Sequence, residues 1–118
     1  MANNVKRIST HVLDIASGKP ASGVPLRLEF RQPAGAWRSL SSARTDADGR
    51  CSQLLSENEE LGEGVYRLTF DTAAYFGSQG IQGLYPFVEI TFQVRSGDAH
   101  YHIPLLLSPN GYTTYRGS

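Results

Sequence analysis

The residues best equipped for chemistry in this chain are its three histidines and one arginine that leaves a tight turn. His100 and His102 stand two apart in the run His100-Tyr101-His102-Ile103-Pro104, a spacing that puts both side chains on one face of a β-strand. The other face carries Tyr101, Ile103, Leu105 and Leu107, an apolar row suited to a core, so the imidazoles turn toward solvent or a partner subunit. His11 is the third. Three readings fit: solvent-facing histidines, an open zinc centre in which His11 joins the pair, or acid–base catalysis, since imidazole titrates near pH 6.5. Spacing leaves all three open.

Arg50 follows Thr45-Asp46-Ala47-Asp48-Gly49 directly. Arginines are mostly surface residues, but one whose backbone is held by a turn is well placed to meet a small polar ligand. Asp46 and Asp48 invite a calcium reading. The third loop ligand and the distal glutamate of an EF-hand are missing, and a plain turn fits better. Cys51 has no activating partner in the sequence and reads as a small buried or interface residue. Tyr115 by itself could be a core or edge aromatic. Phosphate-binding glycine loops, Cys-x-x-Cys pairs and the Gly-x-Ser-x-Gly elbow are all absent, so no nucleotide cofactor is expected.

The elements that must position these residues are strands. Glycine and proline punctuate the chain, and period-two alternation fills the runs between them, as in an antiparallel sandwich. Ile8, Thr10 and Val12 alternate with Ser9, His11 and Leu13. Val24, Leu26, Leu28 and Phe30 alternate with Pro25, Arg27 and Glu29, with Pro25 marking an edge or a strand entry. A weaker strand spans 37–43, and Asp48-Gly49 is the strongest short-range hairpin signal. Residues 16–23 and 80–86 read as loops and 56–64 as an acidic, solvated loop. Tyr66, Leu68 and Phe70 define the next strand; residues 71–77 form the one credible helix, capped by Asp71 or Thr72 and ended by Gly77. Val88, Ile90, Phe92 and Val94 make the clearest strand. Ser96-Gly97-Asp98 turns the chain into the histidine strand, and a last β-prone run, Tyr112-Thr113-Thr114-Tyr115, follows Pro109-Asn110-Gly111. About eight strands and one short helix result.

At 118 residues the chain is expected to form one domain, 1–118. Eleven Lys and Arg balance eleven Asp and Glu, which argues against nucleic-acid and anionic-membrane partners. No apolar run approaches the roughly 20 residues of a membrane span. The opening Met1-Ala2-Asn3-Asn4 lacks the apolar stretch of a secretory signal. A single cysteine excludes an intrachain disulfide. A cytoplasmic protein is expected.

His100-Tyr101-His102-Ile103-Pro104-Leu105-Leu106-Leu107-Ser108-Pro109 with Tyr112-Thr113-Thr114-Tyr115-Arg116-Gly117-Ser118 resembles the C-terminal signature of the 5-hydroxyisourate hydrolases, transthyretin-like enzymes of urate breakdown. The opening Ile8-Ser9-Thr10-His11-Val12-Leu13-Asp14, Gly18-Lys19-Pro20 and Thr45-Asp46-Ala47-Asp48-Gly49-Arg50 match in the same order. The tetrapeptide Tyr115-Arg116-Gly117-Ser118 is the most specific part, because it separates the hydrolases from hormone-carrying transthyretins.

The resemblance implies a transthyretin-like antiparallel β-sandwich of two four-stranded sheets, with the helix between the fifth and sixth strands. It implies hydrolysis of a ring amide in 5-hydroxyisourate, with neither metal nor cofactor, by a homotetramer whose sites lie in the channel between two dimers. Its functional positions fall on His11, Arg50, His102, Tyr115 and Ser118. It assigns water activation to the His11/His102 pair, substrate binding and oxyanion stabilisation to Arg50, and a wall of the site to Tyr115 and Ser118. Tyr115 and Arg116 alternate in facing, so Tyr115 would line the channel while Arg116 anchors the end through a carboxylate. A transthyretin-type carrier without hydrolase activity is the competing expectation.

Overall fold

The computed structural model describes residues 5–56, 59 and 61–118. Nine strands and one helix follow in order: β1 (Arg7–Asp14), β2 (Lys19–Pro20), β3 (Pro25–Arg31), β4 (Trp37–Arg44), β5 (Arg50–Cys51), β6 (Gly64–Phe70), α1 (Thr72–Gly77), β7 (Val88–Val94), β8 (His100–Ser108) and β9 (Gly111–Thr114). They make an all-β sandwich of two sheets with one short helix. One sheet runs β4-β3-β6-β7; the other runs β2-β1-β8-β9, with β5 also paired to β1.

The alternating runs place one apolar row from each long strand between the sheets. Ile8 and Val12 of β1 and Tyr101, Ile103, Leu105 and Leu107 of β8 are buried against Leu26, Leu28, Tyr66, Leu68 and Phe70 of the facing sheet. Each such side chain contributes about 1.5–3 kcal/mol on burial. Thr10 also faces inward, and its hydroxyl donates to the Ile103 carbonyl at 2.7 Å. Asp14, 2% exposed, accepts from the amides of Ala16 and Ser17 and, at 2.7 Å, from the Tyr75 hydroxyl. That carboxylate ties α1 to the end of β1.

Several details depart from the sequence expectation. The seam between β1 and β8 is parallel, from Arg7 opposite His100 to Asp14 opposite Leu107, whereas the other seams are antiparallel. Period two encodes which face a side chain takes and carries nothing about strand direction. The stretch read as a loop at 16–23 contains β2, which pairs with Leu13 and Asp14 at the outer edge of β1. Counting β2 and β5, that sheet has five strands. Asp48-Gly49 does not close a hairpin between neighbours, because it carries the chain from β4 in one sheet to β5 in the other. Pro25 opens an interior strand and marks strand entry, not an edge. Asp71 caps α1, its carboxylate accepting from the Ala74 amide at 3.0 Å.

Of the acidic loop, Glu57, Asn58 and Glu60 lie outside the described residues. Its remainder is more than solvated: Glu59 accepts from Arg38 at 3.1 Å and Leu61 packs against the core. Among the described residues, no helix is long and apolar enough to cross a membrane.

Candidate active site

The outward face of the β1–β8 sheet brings the chemistry-bearing residues together. On β1 it carries Arg7, Ser9, His11 and Leu13, the alternates of the buried row. The register places Ser9 opposite His102 and Arg7 opposite His100 on β8, and His11 opposite Arg50 on β5. Residues distant in sequence thus meet through strand pairing alone.

Arg50 is held by the turn before it. Asp46 Oδ1 accepts from the amides of Asp48 and Arg50, both at 2.9 Å, and Gly49 takes φ of 76°, a region open chiefly to glycine. A Cβ on Gly49 would also stand 2.3 Å from the Val12 carbonyl oxygen. The carboxylate oxygen that might have bound a cation is committed to backbone N–H groups. The Arg50 guanidinium itself is exposed and has no hydrogen-bond or ion-pair partner among the described residues.

His11 Nε2 lies 2.9 Å from the Asp48 carbonyl oxygen. A carbonyl only accepts, so Nε2 carries the hydrogen, and in the neutral ring Nδ1 holds the lone pair. His102 Nδ1 lies 2.8 Å from Ser9 Oγ, and Ser9 is itself buried. Burial pushes the His102 imidazole below its ordinary value, and the charges of His11, Arg50 and Arg7 act in the same direction. Its neutral form is therefore favoured near pH 7.

Gly117 closes the site from above. It bridges to His102, donating its amide to the His102 carbonyl at 2.8 Å. A Cβ there would stand 2.5 Å from His102 Cδ2 and 3.3 Å from Pro104 Cγ. A side chain there would have to push the imidazole or the chain aside, because the backbone lies against the ring. Arg116 anchors this segment, its guanidinium 4.2 Å over the Tyr101 ring and donating to the His100 carbonyl at 3.2 Å. The expected carboxylate contact is present with Asp98, at 3.7 Å.

A cleft of about 380 Å³ results, lined among others by Arg7, Ser9, Arg50, His102, Gly117 and Ser118. Ser118 lies in its wall, whereas His11 is not among the lining residues and is tied to the cleft only as the register partner of Arg50. Tyr115 does not join them: it is 55% exposed and borders a separate depression with Phe92 and Ile103. Ser9 and Arg7 were not singled out in the sequence. Their alternation with the buried row put them on the right face, but nothing local pairs them with His102 and His100. Cys51 is half-buried against the core, and burial pushes its thiol up, against a nucleophilic role. A larger cleft, about 810 Å³, lies on the other sheet between Arg27, Arg44, Asp71, Phe87 and Glu89. It contains no histidine or other base suited to neutral pH, and size alone does not make it the reactive site.

Sheet arrangement and fold together define a protein of the transthyretin type, with histidines, arginines and hydroxyls gathered on one outer face. The chain belongs to the HIUase/Transthyretin family, whose model matches residues 8–117. It is 44% identical to the 5-hydroxyisourate hydrolase of Mus musculus over 100% of both chains. The structure of Klebsiella pneumoniae 5-hydroxyisourate hydrolase superposes with a TM-score of 0.84 at 35% identity, covering 97% of this chain and 100% of that one. Sea bream transthyretin in complex with thyroxine superposes at 0.87, also at 35% identity, over 94% of each chain.

Proposed function

We propose that this protein hydrolyses a ring amide of 5-hydroxyisourate to 2-oxo-4-hydroxy-4-carboxy-5-ureidoimidazoline in urate degradation, using His102, His11 and Arg50 without metal or cofactor. The observation that carries the reading is the single cleft in which Arg50, His102 and Ser118 meet, in a chain matching a named hydrolase from end to end. Hydrolysis needs a base for water, a cation for the oxyanion and an acid for the leaving nitrogen. His102 suits the first role: with Nδ1–H donating to Ser9 Oγ, its Nε2 holds a lone pair for the water proton. Water oxygen bonds to the amide carbon as that proton moves to His102. Arg50, always charged and without a competing partner, stabilises the developing oxyanion. The C–N bond then breaks and the imidazolium returns the proton to the leaving nitrogen. His11, held through the Asp48 carbonyl, orients the ligand beside Arg50.

The exposed Tyr115 fits a role completed by assembly. We infer a homotetramer in which a second copy faces this sheet, turning an open cleft into a channel and bringing Tyr115 to a wall. A single-domain cytoplasmic enzyme accords with the balanced charge and the lone cysteine. Carriage of a large aromatic ligand is the competing function, since a thyroxine-bound transthyretin shares the fold. Paired arginines, histidines and hydroxyls in the cleft favour a small polar substrate instead. The test is to add the protein to freshly oxidised urate and follow the ultraviolet band of 5-hydroxyisourate. Acceleration of its decay supports the hydrolase, and an unchanged rate overturns it.

A further inference from the structure

Arg7 opens β1 on the same outward face as Ser9 and His11. Its Nε donates to the Ser52 carbonyl at 2.8 Å, which lays the side chain along the cleft edge just beyond β5. The terminal guanidinium nitrogens have no partner among the described residues. Arg7 and Arg50 both line the cleft, and no Asp or Glu side chain does. Along β1 the order is Arg7, Ser9, His11, with Ser9 opposite His102 and His11 opposite Arg50. By register, the backbone levels of Arg7 and Arg50 lie on either side of the level shared by Ser9 and His102.

We propose that Arg7 is a second ligand-binding cation of this cleft, holding the acceptor end of the ligand that lies away from the reacting carbon, while the carboxylate formed at that carbon stays beside Arg50. The proposal rests on the hydrolase reading. Amide hydrolysis creates its carboxylate at the reacting carbon, which engages Arg50, while the carbonyl and urea oxygens at the other end of the ligand still need a donor. One arginine cannot stabilise the oxyanion at the reacting carbon and also anchor the far end. A second guanidinium presents forked donors that neighbouring carbonyl and urea oxygens accept. Gripping both ends also fixes the ring over His102, where orientation governs rate. The bond from Nε to Ser52 leaves the outer nitrogens for this task.

The test compares Arg7→Met, which keeps the length of the stem, with Arg7→Lys, which keeps the charge. For Arg7→Met, the KM for 5-hydroxyisourate and the inhibition constant of the ring-opened product should both rise about 5- to 30-fold, the range for hydrogen bonds to charged groups near a surface. The fall in kcat/KM should come mainly through KM, and Arg7→Lys should recover part of it. Added salt should weaken product binding in the wild type more than in Arg7→Met. Unchanged constants in Arg7→Met, a loss confined to kcat, or an Arg7→Lys no better than Arg7→Met would each overturn the assignment. Calorimetric binding of the ring-opened product to wild type and Arg7→Met separates the two readings. A wild type that binds the product more tightly than the variant, yet does not hydrolyse 5-hydroxyisourate, sinks the hydrolase and leaves Arg7 standing.

Discussion

The two outer faces of the sandwich are built from the same strand alternation and have opposite electrostatic organisation. On the β3–β6–β7 face the central charges are paired in one cluster. Arg67 is bound to Glu29 at 2.9 Å, lies 3.7 Å from Glu89 and stacks 4.1 Å over Trp37. On the β1–β8 face the cations are left unpaired: Arg50 and the outer nitrogens of Arg7 have no partner among the described residues. Nearby polar groups there serve to hold an imidazole or a backbone in place. A satisfied network rigidifies, whereas charges aimed into a cleft without partners are available to a ligand.

That contrast is broken most directly at the imidazoles. His102→Ala and His11→Ala should each lower kcat by about 10²- to 10⁴-fold with the fold intact, since both side chains face away from the core. Arg50→Lys should be nearly as damaging, because an ammonium lacks the planar fork. Unchanged kinetics at any of these positions would remove that residue from the site. The next effect down is at Gly117. A methyl group added there must displace the His102 ring or lift the chain from it, and misplacement of about 1 Å can cost 10²-fold. Gly117→Ala should therefore lower kcat/KM by roughly 10- to 100-fold without loss of helix or strand content by circular dichroism, and deletion of residues 115–118 should do at least as much. Wild-type rates in the deletion would show that the docked segment has no part in catalysis.

Much of this was readable in the chain, and what was not has physical causes. Alternation assigned the inward rows of β3, β6, β7 and β8, and it turned His100 and His102 outward, because burial is a local property of period-two strands. The partnership of Ser9 with His102 spans 93 residues and depends on a parallel seam that no local pattern encodes. Asp48-Gly49 carries a strong turn signal, yet turn chemistry does not say whether the next strand joins the same sheet. The motif Tyr115-Arg116-Gly117-Ser118 drew attention to a segment that docks on the sheet through the bridge from Gly117 to His102. Its members then separate: Gly117 and Ser118 reach the cleft, Arg116 clamps Tyr101, and Tyr115 lines a different depression.

The paired face should respond in the opposite currency, stability without activity. The Glu29 side chain is 13% exposed and that of Arg67 20%, so Glu29→Gln leaves a half-buried guanidinium with its weaker partner, Glu89. A loss of about 1–2 kcal/mol is expected, or roughly 3–8 °C in Tm for a domain of this size. Turnover of 5-hydroxyisourate at 25 °C should be unaffected. A drop in kcat/KM in well-folded Glu29→Gln would mean that the two faces are coupled, and the division of labour drawn here would fail.

The smallest expected effect is a displacement along the pH axis. His102 is held below the ordinary histidine value, by burial first and then by the charges of His11, Arg50 and Arg7. A general base works in its neutral form, which predominates above its pKa. The acidic limb of kcat/KM, which reports groups of the free enzyme, should accordingly lie below about pH 6.5, the ordinary value. Arg7→Met removes one repelling charge, eases protonation of His102 and should move that limb upward, toward the ordinary value. The limb is independent of plateau height, so the shift is readable even as KM rises. Stability carries the same sign. The unfolded chain takes up the His102 proton at a higher pH than the folded one, so stability falls as pH drops from about 6.5 toward the lowered folded value. Glu29→Gln, on the paired face, should leave the limb in place. A limb above pH 7 in the wild type, or one that moves downward in Arg7→Met, would take the role of base away from His102.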